Sequence, residues 1–255
     1  MSVELTTSGD VHVLTLRRPE ALNALSFQII DEIGEALDEV EQASSRFLIV
    51  TGEGRRAFCA GADIKELREA SPLAMGRRMR RGQQIFGKLD QLRVPSLALI
   101  NGYAFGGGLE LALACTFRMA TPNAKMGLPE VKLGLIPGYG GTQRLPRIVG
   151  EGRALDMVLT GRAVGAEEAC AMGLVQEVVE GDAMARAMEY AAQVAKLSLP
   201  VLGFAREAVA RALDRSVEAG FETEANLNNL AFQLNDSTEG MLAFEEKRDP
   251  EFKDT

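Results

Sequence analysis

A single carboxylate, Glu110, stands inside an otherwise apolar stretch of the sequence. The segment GYAFGGGLELALAC (102–115) opens its helical pattern with glycines, and every other side chain of that pattern is apolar. A helix that is apolar on all sides is normally buried, and a buried carboxylate without a partner raises its pKa. The residues one helical turn away cannot pair with it: Gly106, Gly107, Leu113 and Ala114. We therefore expect Glu110 to be paired from elsewhere in the fold or to line a cavity, where it could act as an acid or a base.

Two turns of small residues, each leading into a helix, could supply the hydrogen-bond donors for such chemistry. Three consecutive glycines (106–108) precede the apolar helix. Because each glycine costs about 1 kcal/mol relative to alanine inside a helix, their presence indicates that something approaches the backbone closely. The second turn, CAGA (59–62), leads into DIKE (63–66), a helix start with Asp63 as its cap. Helix-starting N–H groups can bind an anion, and two of them on one oxygen would form an oxyanion hole.

A second carboxylate, Glu130, lies twenty residues after Glu110 in the segment MGLPEVKLGLIPGYGGTQRL (126–145). Its position between Lys125 and Lys132 is typical of a surface charge. If the fold brings it opposite Glu110, two carboxylates in different environments could divide the work of a general acid and a general base. The glycine motifs of the chain fit neither the dinucleotide fingerprint nor the phosphate-binding loop of nucleotide enzymes.

Charge and the rare residue types exclude several mechanisms and partners. The 255-residue chain has a formal net charge of −8, which argues against a global nucleic-acid or anionic-membrane partner. The one histidine, His12, lies in the strand pattern VHVLTL, so a Ser–His–Asp triad would rest on it alone and a zinc site of several histidines is excluded. The three cysteines are far apart and indicate neither a disulfide framework nor a metal cluster.

No targeting or membrane segment is recognisable in the sequence. The first residues, MSVELTTSGD, lack the basic start and apolar core of a signal peptide. No apolar run reaches the roughly 18 residues that a membrane span needs. We expect a cytoplasmic protein without a membrane partner.

The pattern of elements predicts an α/β core followed by helices. Strand-like runs at 11–16, 47–52 and 96–102 alternate with helical patterns such as 26–43. After about residue 180 only helical patterns follow, and Asp236 with Glu239 three residues later predicts a capping box for the last helix. A helical layer this thin cannot form its own core, so it must cover another surface.

Several long motifs, in this order, resemble the enoyl-CoA hydratase/isomerase (crotonase) superfamily. They are RRPEALNAL, AFCAGADIKEL, NGYAFGGGLELALAC, GLPEVKLGLIPGYGGTQRLPRIVG, TGRAVGAEEACAMGLVQEVV and FEEKRDPEF. The resemblance implies an α/β fold with a ββα spiral core over residues 1–195 and a C-terminal helical subdomain at 196–255. It also implies a homo-oligomer, either a trimer or a dimer of trimers, in which the helical layer covers the core and an interface.

The resemblance assigns chemistry to four positions. The N–H groups of Ala62 and Gly107 would hold the thioester oxygen of an acyl-CoA. Glu110 would mainly activate a water molecule, and Glu130 would mainly give a proton to the α-carbon of a trans-2-enoyl-CoA. Relatives with other activities often lack one of the two carboxylates, so the presence of both favours hydration. Neither a metal nor a separate cofactor is implied, because coenzyme A is part of the substrate.

The same resemblance predicts where coenzyme A would lie. The predicted contacts are Ala21, Leu22, Ala60, Ala62, Asp63, Ile64, Lys65, Gly107, Gly138 and Lys247. Lys247 would reach a phosphate, in some relatives from a neighbouring subunit; alternatively it is a solvated charge at a helix end.

Two other activities remain open from the sequence. A Δ3,Δ2-enoyl-CoA isomerase would need one carboxylate and the oxyanion hole but no water. A more remote alternative is an RNA-binding relative that uses Arg77, Arg78, Arg80 and Arg81, although a solvated helix face or a position near the CoA phosphates also fits these arginines. Thr116 replaces an aspartate that is common in the family, and we expect it to affect packing only.

Overall fold

The computed structural model describes residues 2–255, so the first residue of the predicted core lies outside the described part. The strands are β1 (Val3–Ser8), β2 (Val11–Leu16), β3 (Phe47–Gly52), β4 (Ala57–Cys59), β5 (Ser96–Ile100), β6 (Tyr103–Phe105), β7 (Phe117–Ala120), β8 (Lys125–Gly127), β9 (Ala163–Gly165) and β10 (Glu177–Val178). The α-helices are α1 (Phe27–Gln42), α2 (Ile64–Glu69), α3 (Pro72–Gln91), α4 (Gly107–Ala114), α5 (Gly141–Val149), α6 (Glu151–Thr160), α7 (Ala166–Ala171), α8 (Ala183–Ala195), α9 (Leu199–Ala210), α10 (Val217–Phe232) and α11 (Asn235–Glu246). Short 3-10 helices lie at Pro19–Ala21, Glu130–Leu133 and Ala212–Asp214.

The strands form two sheets. A six-stranded sheet has the order β1-β2-β3-β5-β7-β10 and is parallel except for the β1–β2 pair. A four-stranded sheet has the order β4-β6-β8-β9 and is parallel except for the β8–β9 pair. Along the chain, β3, β5 and β7 enter the larger sheet, and β4, β6 and β8 enter the smaller one. This repeated passage between the sheets, with helices after each pair, confirms the predicted ββα spiral core.

The main apolar core surrounds α4, and every residue of that helix is buried. The helix contacts β5 of the larger sheet and β4 and β6 of the smaller one. Because α4 is enclosed by strands of both sheets, it has no solvent-facing side, which explains its uniformly apolar sequence. A second apolar cluster lies on the other face of the larger sheet, where Phe47 and Ile49 pack beneath α8. β3 is therefore buried on both faces, as is usual for a central parallel strand.

The C-terminal helices confirm the helical layer, but their predicted cap is wrong. The last strand ends at Val178, and α8 to α11 follow it. α11 begins at Asn235, and the buried carboxylate of Asp236 accepts hydrogen bonds from the N–H groups of Lys253 and Asp254 at 2.7 and 2.9 Å. The chain end folds back and supplies these donors, so Asp236 does not cap the helix. The division at residue 195 stays a prediction.

Large apolar side chains remain exposed on this layer in the single chain. Phe221, Phe232 and Phe244 are among them. The predicted trimer or dimer of trimers would cover these side chains, and this assembly stays a prediction. Within the described residues no helix is both long and apolar enough to cross a membrane.

Candidate active site

Three neighbouring parallel strands end at one edge of the smaller sheet. β4, β6 and β8 lie side by side, with Cys59 paired to Ala104 and Phe105 paired to Gly127. The carboxyl ends of parallel strands meet at the same edge, and ligands of open α/β sheets bind there. The segments that leave these ends contain Ala62, Gly107 and Glu130, so the sheet brings together three of the four predicted catalytic positions.

Two glycines let the first two segments approach each other. Gly61 has φ +106° and Gly106 has φ +50°, positive backbone angles that residues other than glycine rarely adopt. A methyl carbon on Gly61 would lie 2.9 Å from the Phe105 carbonyl oxygen and 3.8 Å from the Gly106 Cα. The two backbones can come this close only because Gly61 and Gly106 have no side chains.

The N–H groups of Ala62 and Gly107 are left without protein acceptors. Leu25 N–H donates to Gly61 O, and Asp63 N–H donates to Leu25 O, both at 2.8 Å. In this parallel pairing the N–H of Ala62 points away from Leu25. Gly107 is the first residue of α4, where an N–H has no acceptor inside the helix. In residues 2–255 neither amide donates a hydrogen bond to another protein group.

Glu110, in the first turn of α4, is paired by backbone donors from a distant loop. Its side chain is 1% exposed, and Oε1 accepts hydrogen bonds from the N–H groups of Tyr139 and Gly141 at 2.8 and 2.7 Å. Burial raises the pKa of Glu110, and these two N–H groups and the Arg144 cation oppose that rise only in part. Both bonds use Oε1, which leaves Oε2 available for chemistry. The expectation that Glu110 is paired from elsewhere in the fold is confirmed.

Glu130 begins the 3-10 helix that follows β8, and its carboxyl group is directed inward. Oε2 is buried without a hydrogen-bond partner in the described chain, and Oε1 lies 2.9 Å from the position that a methyl carbon on Gly106 would occupy. Burial raises the pKa of Glu130 to about 7, and the nearby charge of Glu110 adds to the rise. The interpretation of Glu130 as a surface charge is therefore wrong, because the strand order turns its side chain toward Glu110.

The two carboxylates occupy different environments. Glu110 has two N–H donors that favour its ionised form, whereas Glu130 has an unpartnered buried oxygen that favours the protonated form. Pairs of titratable groups whose environments differ in this way are typical of acid and base assignments. The pair could therefore supply one proton acceptor and one proton donor.

Sequence reasoning missed the donors from the loop at 138–141. The glycines of that loop were considered as a nucleotide motif, which they do not match, and Gly138 as a coenzyme A contact, but none of its N–H groups was expected to donate to Glu110. The signal that could have found them is the unpaired Glu110, since a buried carboxylate requires donors and a glycine-rich turn offers free N–H groups.

Most of the predicted coenzyme A contacts lie together beside the oxyanion donors. Leu22 O accepts the N–H of Ala60 at 3.0 Å, which joins the segment of Ala21 and Leu22 to the turn before α2. Asp63 caps α2 by accepting the Lys65 N–H at 3.1 Å, and it pairs with Arg18 at 3.0 Å. Burial raises the pKa of Asp63, but these hydrogen bonds outweigh it and the net pKa is lowered.

Of the remaining predicted coenzyme A contacts, three lie near the oxyanion donors and one, Lys247, lies apart from them. Ile64 and Lys65 are exposed in the first turn of α2, and Gly138 lies in the loop that holds Glu110, where its carbonyl accepts a hydrogen bond from Gln83 at 2.9 Å. Lys247 directly follows α11 and makes no ion pair within the described chain, so the single chain does not join it to the other predicted residues.

Other residues singled out in the sequence lie outside this site. His12 lies in β2 of the larger sheet and hydrogen-bonds Thr7 at 2.9 Å. Thr116 exchanges backbone-to-hydroxyl hydrogen bonds with Ser96 at 3.1 and 3.2 Å, which is a packing role.

Two of the four clustered arginines on α3 are held by contacts within the chain. Arg81 pairs with Asp31 at 2.8 Å, and the guanidinium of Arg78 lies 3.8 Å from the centre of the Phe27 ring. The hypothesis that this cluster binds RNA stays untested, but these contacts are those of an ordinary helix face.

The close packing of α4 on β4 predicts a large difference between two glycine substitutions. A methyl carbon on Gly108 would lie 2.1 Å from the Cys59 carbonyl oxygen, whereas one on Gly87 of α3 would have no neighbour within 4 Å. We expect Gly108→Ala to lower the free energy of unfolding by at least about 2 kcal/mol. We expect the control Gly87→Ala to raise it by about 0.4–1 kcal/mol, because alanine restricts the unfolded chain. Denaturant unfolding followed by circular dichroism measures both, and equal stabilities would contradict the packing described here.

Comparison with known proteins gives one consistent result. A family model described as enoyl-CoA hydratase/isomerase matches residues 6–255. A protein of Mycobacterium bovis named probable enoyl-CoA hydratase is 41% identical over 95% of this chain and 94% of its own length. The short-chain-enoyl-CoA hydratase of Clostridium acetobutylicum is 37% identical over 97% of this chain and 95% of its own. The crystal structure of an enoyl-CoA hydratase from Bacillus anthracis superposes with a TM-score of 0.95 at 36% identity and covers 100% of both chains.

The family model spans residues 6–255 and the solved structure covers the whole chain, so these likenesses include the strand ends that form the site. The chain belongs to the enoyl-CoA hydratase/isomerase family. The relatives named above carry the names of hydro-lyases, enzymes that add water to a double bond or remove it.

Proposed function

We propose that this protein is an enoyl-CoA hydratase, which reversibly adds water to a trans-2-enoyl-CoA to give a 3-hydroxyacyl-CoA. The observation that carries the proposal is the arrangement of two unpartnered amides and two inward carboxylates at one edge of the smaller sheet. Relatives named as enoyl-CoA hydratases at 37–41% identity support it. A site with only an oxyanion hole would serve many acyl-CoA reactions, and the carboxylate pair favours the addition of water.

In the proposed reaction the thioester oxygen accepts hydrogen bonds from the N–H groups of Ala62 and Gly107. Negative charge moves onto this oxygen when water attacks the β-carbon, because the electrons of the double bond shift toward the carbonyl group. Fixed donors stabilise that charge more than they stabilise the neutral substrate, and one such donor is worth roughly 3–4 kcal/mol. Both donors belong to the main chain, so their positions depend on the turns at Gly61 and Gly106.

Glu110 and Glu130 divide the two proton transfers. Oε2 of Glu110 takes a proton from water as the oxygen of that water bonds to the β-carbon. Glu130 gives its proton to the α-carbon, and the electron pair of the enolate forms the new carbon–hydrogen bond. The N–H donors of Tyr139 and Gly141 favour the ionised form of Glu110 against the effect of its burial, and burial favours the protonated form of Glu130, whose pKa is raised to about 7.

Coenzyme A would lie along the turn that precedes α2. The main chain from Ala60 to Ile64 borders the oxyanion donor Ala62 and continues to the segment of Leu22. Lys65 is exposed next to this turn and could meet a phosphate group. Lys247 could do so from a neighbouring subunit, since the single chain does not bring it to the site.

The pKa of Glu130 predicts the pH dependence of hydration. The proposed acid must hold its proton, and its pKa is raised to about 7 by burial. The protonated form dominates below this pH and is lost above it, so kcat/KM should fall about tenfold for each pH unit above that value. Because the two carboxylates interact, the apparent pKa obtained from this profile belongs to the pair and not to Glu130 alone. Initial rates with crotonyl-CoA across neutral pH measure it, and a kcat/KM that stays constant to about pH 9 would contradict the role of Glu130 as acid.

The proposed activity is tested by the absorbance of the conjugated enoyl thioester. Hydration of crotonyl-CoA removes the conjugation, so its absorbance should fall after the enzyme is added. A 3-enoyl-CoA should give no new conjugated product. A flat signal with crotonyl-CoA together with rising absorbance from the 3-enoyl-CoA would replace the proposal with a Δ3,Δ2-isomerase.

A further inference from the structure

Tyr139 is the one bulky side chain in the loop whose N–H groups hold Glu110, and it is directed into the protein. Its side chain is 2% exposed, and its ring packs edge to face on Phe86 with a centroid distance of 5.4 Å. Its own N–H donates to Glu110 Oε1 at 2.8 Å, so the side chain starts immediately beside the proposed base. The mechanism uses only the main chain of this residue, which leaves its large buried ring without an assigned role.

The ring fills the space between two helices because both lack a side chain where they meet it. A methyl carbon on Gly82 of α3 would lie 2.4 Å from Cδ1 and Cε1 of the ring, and one on Gly107 of α4 would lie 3.1 Å from Cδ2 and Cε2. One edge of the ring therefore contacts the backbone of α3, and the other contacts the residue that supplies an oxyanion donor. An alkyl chain cannot pass between surfaces that are already in van der Waals contact.

Packing, and not a hydrogen bond, fixes the ring in this place. The Tyr139 hydroxyl is buried and has no hydrogen-bond partner in the described residues. Burial raises the pKa of the hydroxyl, and the charge of Glu110 adds to the rise, so the group stays neutral. Other apolar groups border the same space. The Leu25 side chain lies 3.3 Å from the methyl position on Gly107, and the Met79 sulfur lies 2.5 Å from the methyl position on Gly138.

An acyl group bound as proposed would extend toward this ring. Its carbonyl oxygen would lie at Gly107 N, and its α- and β-carbons would lie between the two carboxylates. The chain beyond the β-carbon must then leave the region of Glu110, where Tyr139 begins. A groove of about 1180 Å³ between α3, α5 and α9 also borders Tyr139, so loss of the ring would open the site toward free space.

We infer that Tyr139 determines the acyl specificity of this protein: its ring closes the acyl end of the site, so that short acyl groups such as butanoyl fit and long ones such as decanoyl do not. This inference rests on the proposed function and adds the substrate class to it. The ring, not the hydroxyl, carries the effect, and phenylalanine should therefore preserve the preference.

The test measures the binding of two saturated esters that cannot react, butanoyl-CoA and decanoyl-CoA, by titration calorimetry. Wild-type protein should bind butanoyl-CoA more tightly than decanoyl-CoA by a factor of roughly 10 or more, because added carbons meet the ring. Tyr139→Ala should remove most of that difference by improving the affinity for decanoyl-CoA, and Tyr139→Phe should keep the wild-type ratio. The matched control is Tyr190→Ala in α8, on the opposite face of the larger sheet, which should leave both affinities unchanged.

The outcomes separate this inference from the function on which it rests. If wild-type protein does not bind butanoyl-CoA, the proposed function and the inference both fail. If it binds both esters equally tightly, or if Tyr139→Ala keeps the wild-type ratio, the inference alone is overturned. If Tyr139→Ala does not fold, Tyr139→Leu, which retains an apolar side chain, takes its place and should also improve the affinity for decanoyl-CoA. The ratio of the two affinities in wild-type protein tests the claim without any variant.

Discussion

Glu130→Gln should lower kcat for the hydration of crotonyl-CoA by roughly 10³-fold and leave KM nearly unchanged. Glutamine has the same shape but has no acidic proton to give to the α-carbon. The carboxyl group is buried and its pKa is raised, and it gives up its proton only in the transition state. Its loss should therefore lower kcat and kcat/KM by the same factor. Steady-state kinetics at neutral pH measure both constants.

The matched control for this prediction is Glu39→Gln on α1. Glu39 is exposed and forms no ion pair in the described residues, so its substitution should leave the kinetic constants at wild-type values. A Glu130→Gln protein within about twofold of wild-type kcat would remove Glu130 from the chemistry, since general acid catalysis is worth roughly 10²–10⁴-fold.

Glu110→Gln should lower kcat to a similar extent while keeping the fold of the loop at 138–141. In wild-type protein Oε1 alone accepts both N–H groups, from Tyr139 and Gly141. The amide oxygen of glutamine can accept the same two bonds, and its NH₂ group then occupies the position of Oε2, where it cannot take a proton from water. The rate should therefore fall roughly 10³-fold with little loss of stability.

Glu110→Ala separates the two roles of this residue. Alanine removes the base and also leaves the N–H groups of Tyr139 and Gly141 buried without an acceptor, which costs about 1–3 kcal/mol for each group. The alanine variant should thus lose both rate and unfolding free energy, whereas the glutamine variant loses rate alone. Near-normal turnover of Glu110→Gln would show that water is activated by another group.

In the double variant of Glu110 and Glu130 the rate should be little lower than in either single variant, because the two residues act as a unit.

The local elements of the fold could be predicted because each depends on neighbouring residues. The helix predicted at 26–43 is observed as α1, Phe27–Gln42, with Ser26 accepting the Ile29 N–H at 3.2 Å. The helix start at Asp63 is likewise observed, because a cap needs only a side-chain oxygen and an N–H two residues later. Glu110 could be singled out for a related reason, since no nearby residue could pair with it.

The assembly of the site could not be derived in this way. Glu130 lies between two lysines in the sequence, and only the strand order β4-β6-β8 turns it inward beside Gly106. The donors to Glu110 come from a loop 29–31 residues away, and nothing in the local pattern selects Tyr139 over other loop residues. The capping box at Asp236 failed because the chain end returns to that residue. In each case a contact distant in sequence replaced the local one. The resemblance to a family placed Glu130 in one site with Glu110, but it indicated neither the donors to Glu110 nor the return of the chain end to Asp236.

The most direct test of the proposed reaction is to incubate crotonyl-CoA with the protein in ¹⁸O-labelled water and to analyse the products by mass spectrometry. If two amides hold the thioester oxygen while Glu110 directs water to the β-carbon, the product is 3-hydroxybutanoyl-CoA with one ¹⁸O atom in its hydroxyl group and an intact thioester. Labelled free crotonate, formed by hydrolysis of the thioester, or unlabelled crotonyl-CoA as the only species, would contradict the proposed hydratase.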